Sequence, residues 1–475
     1  MADLDMVVKN ADIATATESF RGDIGIKDGR IVLLGQLDFP AERVIDAGGR
    51  LVTPGGVDAH CHLDQPSTDG SVQADDFLSG TVSAACGGTT TIIPFAAQMK
   101  GSGMRAAVDD YHTRAAGKAV IDYAFHMIVS DPSPTVLSEE LPALIGEGYA
   151  PLMCFMTYDD LKLTARQILD LLALARREGA LPMIHAENDD CIAWLTDLLE
   201  EAGKIAPRFH AHARPMVIER EAAHRAISLA ELVDVPVLIV HVSSNAAMTQ
   251  IQKAQGRGIN IFAETCPQYL FLTADDLAQP GFEGAKCICS PPPRTVEEQE
   301  HIWRGLKTGV FQVFSSDHAP YSYEDPHGKK NAGEHASFRH VPNGIPGIET
   351  RLALLMSEGV MGGRLNIHRF VELTSTNPAK LYGLFPRKGT IAPGSDADLL
   401  IWERDREFTL NNDMLHHNVD YTPYEGMHLR AWPAQVISRG EVIVENSVCS
   451  AEAGRGEFLP SQRFEVLKNR EGELV

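Results

Sequence analysis

Two histidines separated by one residue, His60-Cys61-His62, close the apolar run GGVDAHCH at 55–62. Along an extended chain alternate side chains face opposite ways, so the two imidazoles share one side and Cys61 takes the other. By itself the pair is a weak sign, because a lone histidine is more often packed than functional. Its weight comes from three further residues at the ends of other apolar runs: His185 in LPMIHAEN, His241 in PVLIVHVSS and Asp317 in VFQVFSSDHAP. Four imidazoles and a carboxylate form a donor set for a borderline divalent cation, Zn²⁺ foremost. Such an ion lowers the pKa of a bound water from near 16 to about 7 and so supplies hydroxide at neutral pH. A carboxylate beside that water, here Asp317, can take its proton and later deliver it to a leaving nitrogen. The chemistry implied is metal-dependent hydrolysis.

Those five residues meet only if separate strands converge. Strand-like runs lie at 55–62, 89–95, 122–129, 150–158, 181–188, 236–244, 259–270 and 313–320. Between them, stretches such as ARQILDLLALARREG, EREAAHRAISLAELV and VEEQEHIWRGL carry apolar residues at helical spacing. Eight strands alternating with helices predict an α/β fold of (β/α)₈ TIM-barrel type, with a doubly wound open sheet as competitor. The polar residues favour the barrel, since they fall at the C-terminal ends of several strands, where a barrel carries its active site. The flanks at 5–52 and 389–445 are short strands separated by turns such as Asp28-Gly29 and Arg439-Gly440. They predict a small β-sandwich domain formed by both termini. The expected organisation is 1–54 and 389–449 as the two parts of the sandwich, 55–388 as the barrel, and 450–475 as a C-terminal surface arm.

Composition narrows the partners. The 64 acidic residues outnumber the 42 lysines and arginines, a formal charge of -22, which disfavours nucleic acid and anionic membrane surfaces. No run reaches the length of a membrane span, and MADLDMVVKN has no basic region followed by an apolar stretch. The eight cysteines are scattered without a CxxC pair and read as reduced thiols of a cytoplasmic protein.

The motifs PGGVDAHCHLD, GGTTT, MIHAEN, VHVSS, ETCPQYL, CSPPPR, SSDHAP, VPNGIPGIE and TSTNPAKLYGLFPRKGTIAPGSDADLLIW run from about residue 50 to 402. In kind and order they resemble the hydantoinase/dihydropyrimidinase branch of the amidohydrolase superfamily. The resemblance implies a (β/α)₈ barrel with a β-sandwich, assembly as a homotetramer, and hydrolysis of a cyclic ureide or imide such as a hydantoin or dihydropyrimidine. It implies that His60, His62 and Asp317 hold the more buried metal, and His185 and His241 a second. Tyr158, in FMTY, would polarise the scissile carbonyl, while main-chain groups of Ser290 in CSPP and Asn343 in VPNG would grip the ring's amide functions. Asp64 is a candidate support for a ligand histidine, or an ordinary loop residue.

This chain departs from the family at one place. The family's fourth strand carries a carbamylated lysine that bridges two metals, whereas LMCFMTY puts Met153 there. A thioether is a neutral, poor ligand for such cations, so one tight metal at His60, His62 and Asp317, helped by His185, is expected, with His241 left free. The loop residues Gln65, Asp159, Asp160 and Lys162 predict a polar gate and small or polar substituents on the substrate. Two other readings stand beside the cyclic amidase. A mononuclear deaminase of the superfamily would use the same ligands but has no use for CSPP and VPNG. A non-catalytic scaffold like the collapsin response mediator proteins would not require five intact ligands.

Overall fold

The computed structural model describes residues 4–404 and 407–464. Eight parallel strands form the barrel: β1 Gly56–Cys61, β2 Thr89–Ala97, β3 His126–Ile128, β4 Pro151–Phe155, β5 Leu181–His185, β6 Val237–Ile239, β7 Ile261–Thr265 and β8 Val313–Phe314. Neighbours in sequence are neighbours in the sheet. The ring closes just beyond β8, where the Asp317 N–H donates to the His60 carbonyl at 2.9 Å and the His62 N–H to the His318 carbonyl at 2.7 Å. Because both faces are covered, the strands are buried and largely apolar rather than alternating. Val57, Ala59, Met153, Phe155, Leu181, Met183, Leu238 and Val240 fill the interior, while Cys154, Ile184, Ile239 and Ala263 pack outward.

The helices begin and end where local chemistry requires. Ala165–Glu178 starts at Thr164, whose hydroxyl accepts from the Gln167 N–H while Gln167 reaches back to the Thr164 N–H. It ends at Gly179, with φ of 73°, a left-handed cap that favours glycine. Met216–Val233 and Val296–Thr308 fall on the other two stretches with helical spacing.

Strands from both ends of the chain share one sheet of their own. Leu51–Pro54 pairs antiparallel with Leu399–Glu403, which continues through Trp432–Ser438 to Glu441–Glu445 and Val448–Cys449. The long strand Leu4–Ala14 pairs with Ala41–Asp46 through its first half and with Leu51–Pro54 near its end, so the sheet branches and folds over its own apolar layer. Between this domain and the barrel lies a buried ion cluster, in which Lys388 Nζ meets Asp122 at 2.6 Å, Asp398 at 2.8 Å and Asp396 at 3.0 Å.

Residues 451–464 run along the barrel end opposite the histidines. The Tyr123 N–H donates to Glu457, and the Leu459, Ser461 and Phe464 N–H groups donate to Tyr123, Gly148 and Gly179, all just ahead of strands β3 to β5. Leu459 is buried in the interior cluster. The rest of the expected surface arm, 465–475, lies outside the described residues. Among the described residues no helix is long and apolar enough to cross a membrane.

Candidate active site

Strand parity alone would not bring the histidines together. Val57 and Ala59 belong to the interior and Cys61 to the outer layer, and the pairing of β1 with β2 slips between Asp58 and Cys61. That slip turns His60 and His62 into the mouth. After β6, Val240 faces in and Val242 faces out, and the switch falls on His241, whose φ is 38°. Asp317 and Tyr158 are left-handed as well, at 51° and 71°. Such backbone is costly for residues with side chains and persists where its surroundings over-determine it, often at functional sites.

One side of the mouth is compact. The Nε2 atoms of His60 and His62 lie 3.2 and 3.6 Å from Asp317 Oδ1, and donor atoms of the three residues all lie within 4.8 Å of one another. Each ring is fixed from behind. His60 Nδ1 meets Glu264 Oε1 at 2.8 Å, His62 Nδ1 meets Gln65 Oε1 at 2.6 Å, and Asp317 Oδ2 accepts from Gln268 Nε2 at 3.1 Å. With Nδ1 engaged, Nε2 is left facing the common centre. Burial disfavours charge on His60, but the Glu264 and Asp317 carboxylates outweigh it and lift the imidazole to about 10. Burial likewise opposes charge on Asp317, and the His60 ring overrides it, holding the carboxyl far below its usual range.

The other side is assembled differently. The rings of His185 and His241 stand 4.4 Å apart edge to face, and His241 is 5.5 Å from His60. His185 Nε2 meets Glu187 Oε2 at 2.9 Å, and the same oxygen accepts from Arg214 Nη1 at 2.8 Å. Burial, then the neighbouring His185, push the His241 imidazole well below its ordinary pKa. His241 Nδ1 is buried with no hydrogen-bond partner among the described residues. Met153 is buried in the interior layer, one strand over from His185, whose ring stacks on Phe155.

Tyr158, Ser290 and Asn343 line the same cavity of about 830 Å³ as the metal-type residues. Tyr158 is 5.3 Å from His185 by ring centroids, and burial raises its phenol pKa, keeping the hydroxyl protonated. Beside it in the cavity, Ser290 Oγ donates to Asn343 Oδ1 at 2.7 Å. Asp64 does not support a histidine. It pairs with Arg114 at 2.8 Å, and Gln65, expected at the gate, does that work instead. Asp159 and Asp160 line the cavity, whereas Lys162 turns to Asp189 at 2.6 Å.

Residues 51–443 match the model of the Amidohydrolase family. The chain belongs to that family. It is 43% identical over 464 residues to a D-hydantoinase of Geobacillus stearothermophilus, covering 97% of each chain. Identity to a D-hydantoinase of Rhizobium radiobacter is 42% over 462 residues, covering 97% of this chain and all of the other. A crystal structure of dihydropyrimidinase from Brevibacillus agri superposes with a TM-score of 0.94 at 41% identity, covering 97% of this chain and 99% of that one. Within the amidohydrolase family the chain is therefore a cyclic-amide hydrolase of the hydantoinase/dihydropyrimidinase kind.

For this amidohydrolase the residues behind the candidate ligands were the ones that spacing did not disclose. Glu264 bonds His60, the His241 N–H at 3.1 Å and Ser315 Oγ at 2.9 Å, and is fully buried. Its one trace in the sequence is an acid inside the apolar run INIFAET. Gln65, Gln268 and the Glu187–Arg214 pair left no periodic or spacing signal.

Proposed function

We propose that this amidohydrolase opens a hydantoin, dihydropyrimidine or related cyclic ureide or imide, with one divalent cation held tightly by His60, His62 and Asp317. The observation that carries the reading is the compact meeting of two back-supported imidazoles with one carboxylate at the barrel mouth. Imidazole with carboxylate suits Zn²⁺, and the partnerless Nδ1 of His241 shows donor capacity in excess of what packing uses. When bound, the cation would lower the pKa of a water and polarise a carbonyl. The chain's own groups supply the rest. Asp317 accepts the proton of the attacking water and returns it to the leaving ring nitrogen. Tyr158, held protonated, donates to the carbonyl oxygen as charge develops there. Ser290 and Asn343 orient the ring's amide edge through main-chain groups.

Met153 stands where the family's bridging lysine would, and its thioether lies within the apolar interior. The proposed resting state therefore has one tight metal, with His185 assisting and His241 free to orient substrate or carry a proton. The cavity's polar rim, with Gln65, Asp159 and Asp160, supports small or polar exocyclic groups. Assembly as a homotetramer is supported by an exposed apolar strip on helix Asp189–Glu201, where Trp194 is 64% exposed and Leu198 follows one turn later. A cytoplasmic location fits eight free cysteines.

The test is metal analysis combined with a panel of cyclic ureides, imides and lactams, with ammonia measured throughout. The reading requires ring opening without ammonia and about one tightly held equivalent of metal per chain at the mouth, the equivalent that Asp317→Asn loses. Ammonia release would point to the deaminase, and a metal-free, inert protein to a scaffold.

A further inference from the structure

A second group of metal-type donors lies apart from the mouth, where the barrel meets the β domain. Helix Phe77–Cys86 ends against strand Val448–Cys449 and the segment around His416. Cys86 Sγ, a Glu349 carboxylate oxygen and a His416 ring nitrogen all lie within 4.8 Å of one another. Cys449, on strand Val448–Cys449, is partly buried and packs against the same layer as Cys86. Three segments far apart in sequence thus place a thiol, an imidazole and a carboxylate together, with Cys449 packed beside them. Glu349 is buried, and accepts from Ser83 Oγ at 2.9 Å, the His416 N–H at 2.8 Å and His416 Nδ1 at 2.8 Å.

We propose that Cys86, His416 and Glu349, joined by the adjacent Cys449 as fourth donor, bind a structural divalent cation, Zn²⁺ by donor type, that fastens the β domain to the barrel. Four protein donors including two thiolates make a closed, water-excluding tetrahedral set, the form of a structural rather than a catalytic site. Three of these donors are already close to that geometry. The 2.8 Å His416 Nδ1–Glu349 separation needs to widen only to about 3.3 Å, the edge of a tetrahedron with zinc-ligand distances near 2 Å. The Cys449 thiol is partly exposed and gives an entry path, while Cys86 and Glu349 form the buried floor. On binding, the thiol protons and any proton on His416 are released to solvent, and no oxidant is involved. The site shares no ligand with His60, His62 and Asp317, so it stands or falls independently of the catalytic reading.

Cobalt substitution of the full-length protein separates this site from the mouth, whose ligands are nitrogen and oxygen only. The wild type loaded with Co²⁺ should show a near-ultraviolet sulfur-to-cobalt charge-transfer band. That band should vanish in Cys449→Ser and in Cys86→Ser, and persist in Asp317→Asn. Zinc content should fall by about one equivalent per chain in Cys449→Ser, with turnover retained and a lower thermal midpoint. Cys449 is only partly buried, so its serine variant should keep its fold by circular dichroism even if the Cys86 variant does not. Absence of the sulfur band in the wild type, its survival in Cys449→Ser, or a Cys86–Cys449 disulfide in the intact mass of the cobalt-loaded protein would each overturn the proposal.

Discussion

On one side of the barrel mouth, His60 and His62 each have Nδ1 engaged, by Glu264 and Gln65, and both turn Nε2 toward Asp317. On the other, His185 leans on a carboxylate already committed to Arg214, His241 has an unpartnered Nδ1, and the nearby strand position is the thioether of Met153. The same side chain supplies both halves. What differs is the hydrogen-bond partner behind each ring and the negative charge available in front of it. An imidazole at the right strand end is therefore a necessary part of a tight metal site and not a sufficient one.

Removing the charge from the compact half should have the largest effect. Asp317→Asn loses the one anionic ligand and the proton carrier together, and kcat/KM on hydantoin should fall roughly a thousandfold or more, the equivalent of several kcal/mol of transition-state stabilisation. Made in a Cys449→Ser background, the same change should leave the protein substoichiometric in metal after dialysis. Retained metal with near-normal turnover would show that the compact half is not the catalytic one. Tyr158→Phe comes next. It removes the hydroxyl aimed into the cavity and leaves the metal residues untouched, so kcat should drop about a hundredfold with metal content unchanged. A loss confined to KM would assign Tyr158 to binding alone.

How much of this was readable in the residues differs from level to level. The barrel was legible because eight apolar runs alternate with helical spacing, a pattern imposed by burial on both faces of a parallel sheet. The shared terminal sheet was legible as texture, but the branching of Leu4–Ala14 onto three partners was not, since pairing depends on contacts far along the chain. Within the candidate site, the types of the residues that meet at the mouth could be read while their orientation could not. His241 reaches the mouth through a left-handed residue after Val240, and His60 and His62 through a slipped register after Asp58. Simple alternation contains neither. Glu264 was hidden because a single acid in a strand has no period, and Asp64 drew attention by sequence adjacency although Arg114 holds it.

Smaller perturbations should sharpen the contrast between the halves. Glu264→Gln leaves every ligand in place but removes the carboxylate behind His60, and metal affinity should weaken about 10- to 100-fold in chelator competition. An unchanged affinity would mean that the Glu264 contact only fills space. The pH dependence of binding should differ between halves too. In the metal-free protein the Glu264 and Asp317 carboxylates hold His60 near 10 despite burial, so metal must displace its proton. Apparent affinity should then rise with pH by about tenfold per unit between roughly pH 7 and 9. His241, pushed low by burial, is already neutral there and adds no such dependence. A flat profile would show that His60 does not ligate, and Glu264→Gln, which lowers the His60 pKa, should flatten a real one.

The smallest change expected in magnitude bears most directly on Met153. With four neutral imidazoles and Asp317 as the only anionic ligand, two dications at the mouth would carry one uncompensated positive charge more than in a site with a bridging carbamate. In a poorly hydrated barrel end such a charge is costly, and the cost falls on the second ion, on the side that lacks an anionic ligand. Met153→Lys, prepared with bicarbonate, puts an amine where the thioether now sits, in the interior layer beside Phe155 and His185. If that amine carbamylates, metal at the mouth should rise from about one equivalent to about two, because the missing bridge is restored. Measured in a Cys449→Ser background, the count reports the mouth without the cysteine-containing site. Two equivalents already held by the Met153 protein in that background, surviving dialysis against a mild chelator, would show that the bridge is dispensable and that the two halves bind metal alike.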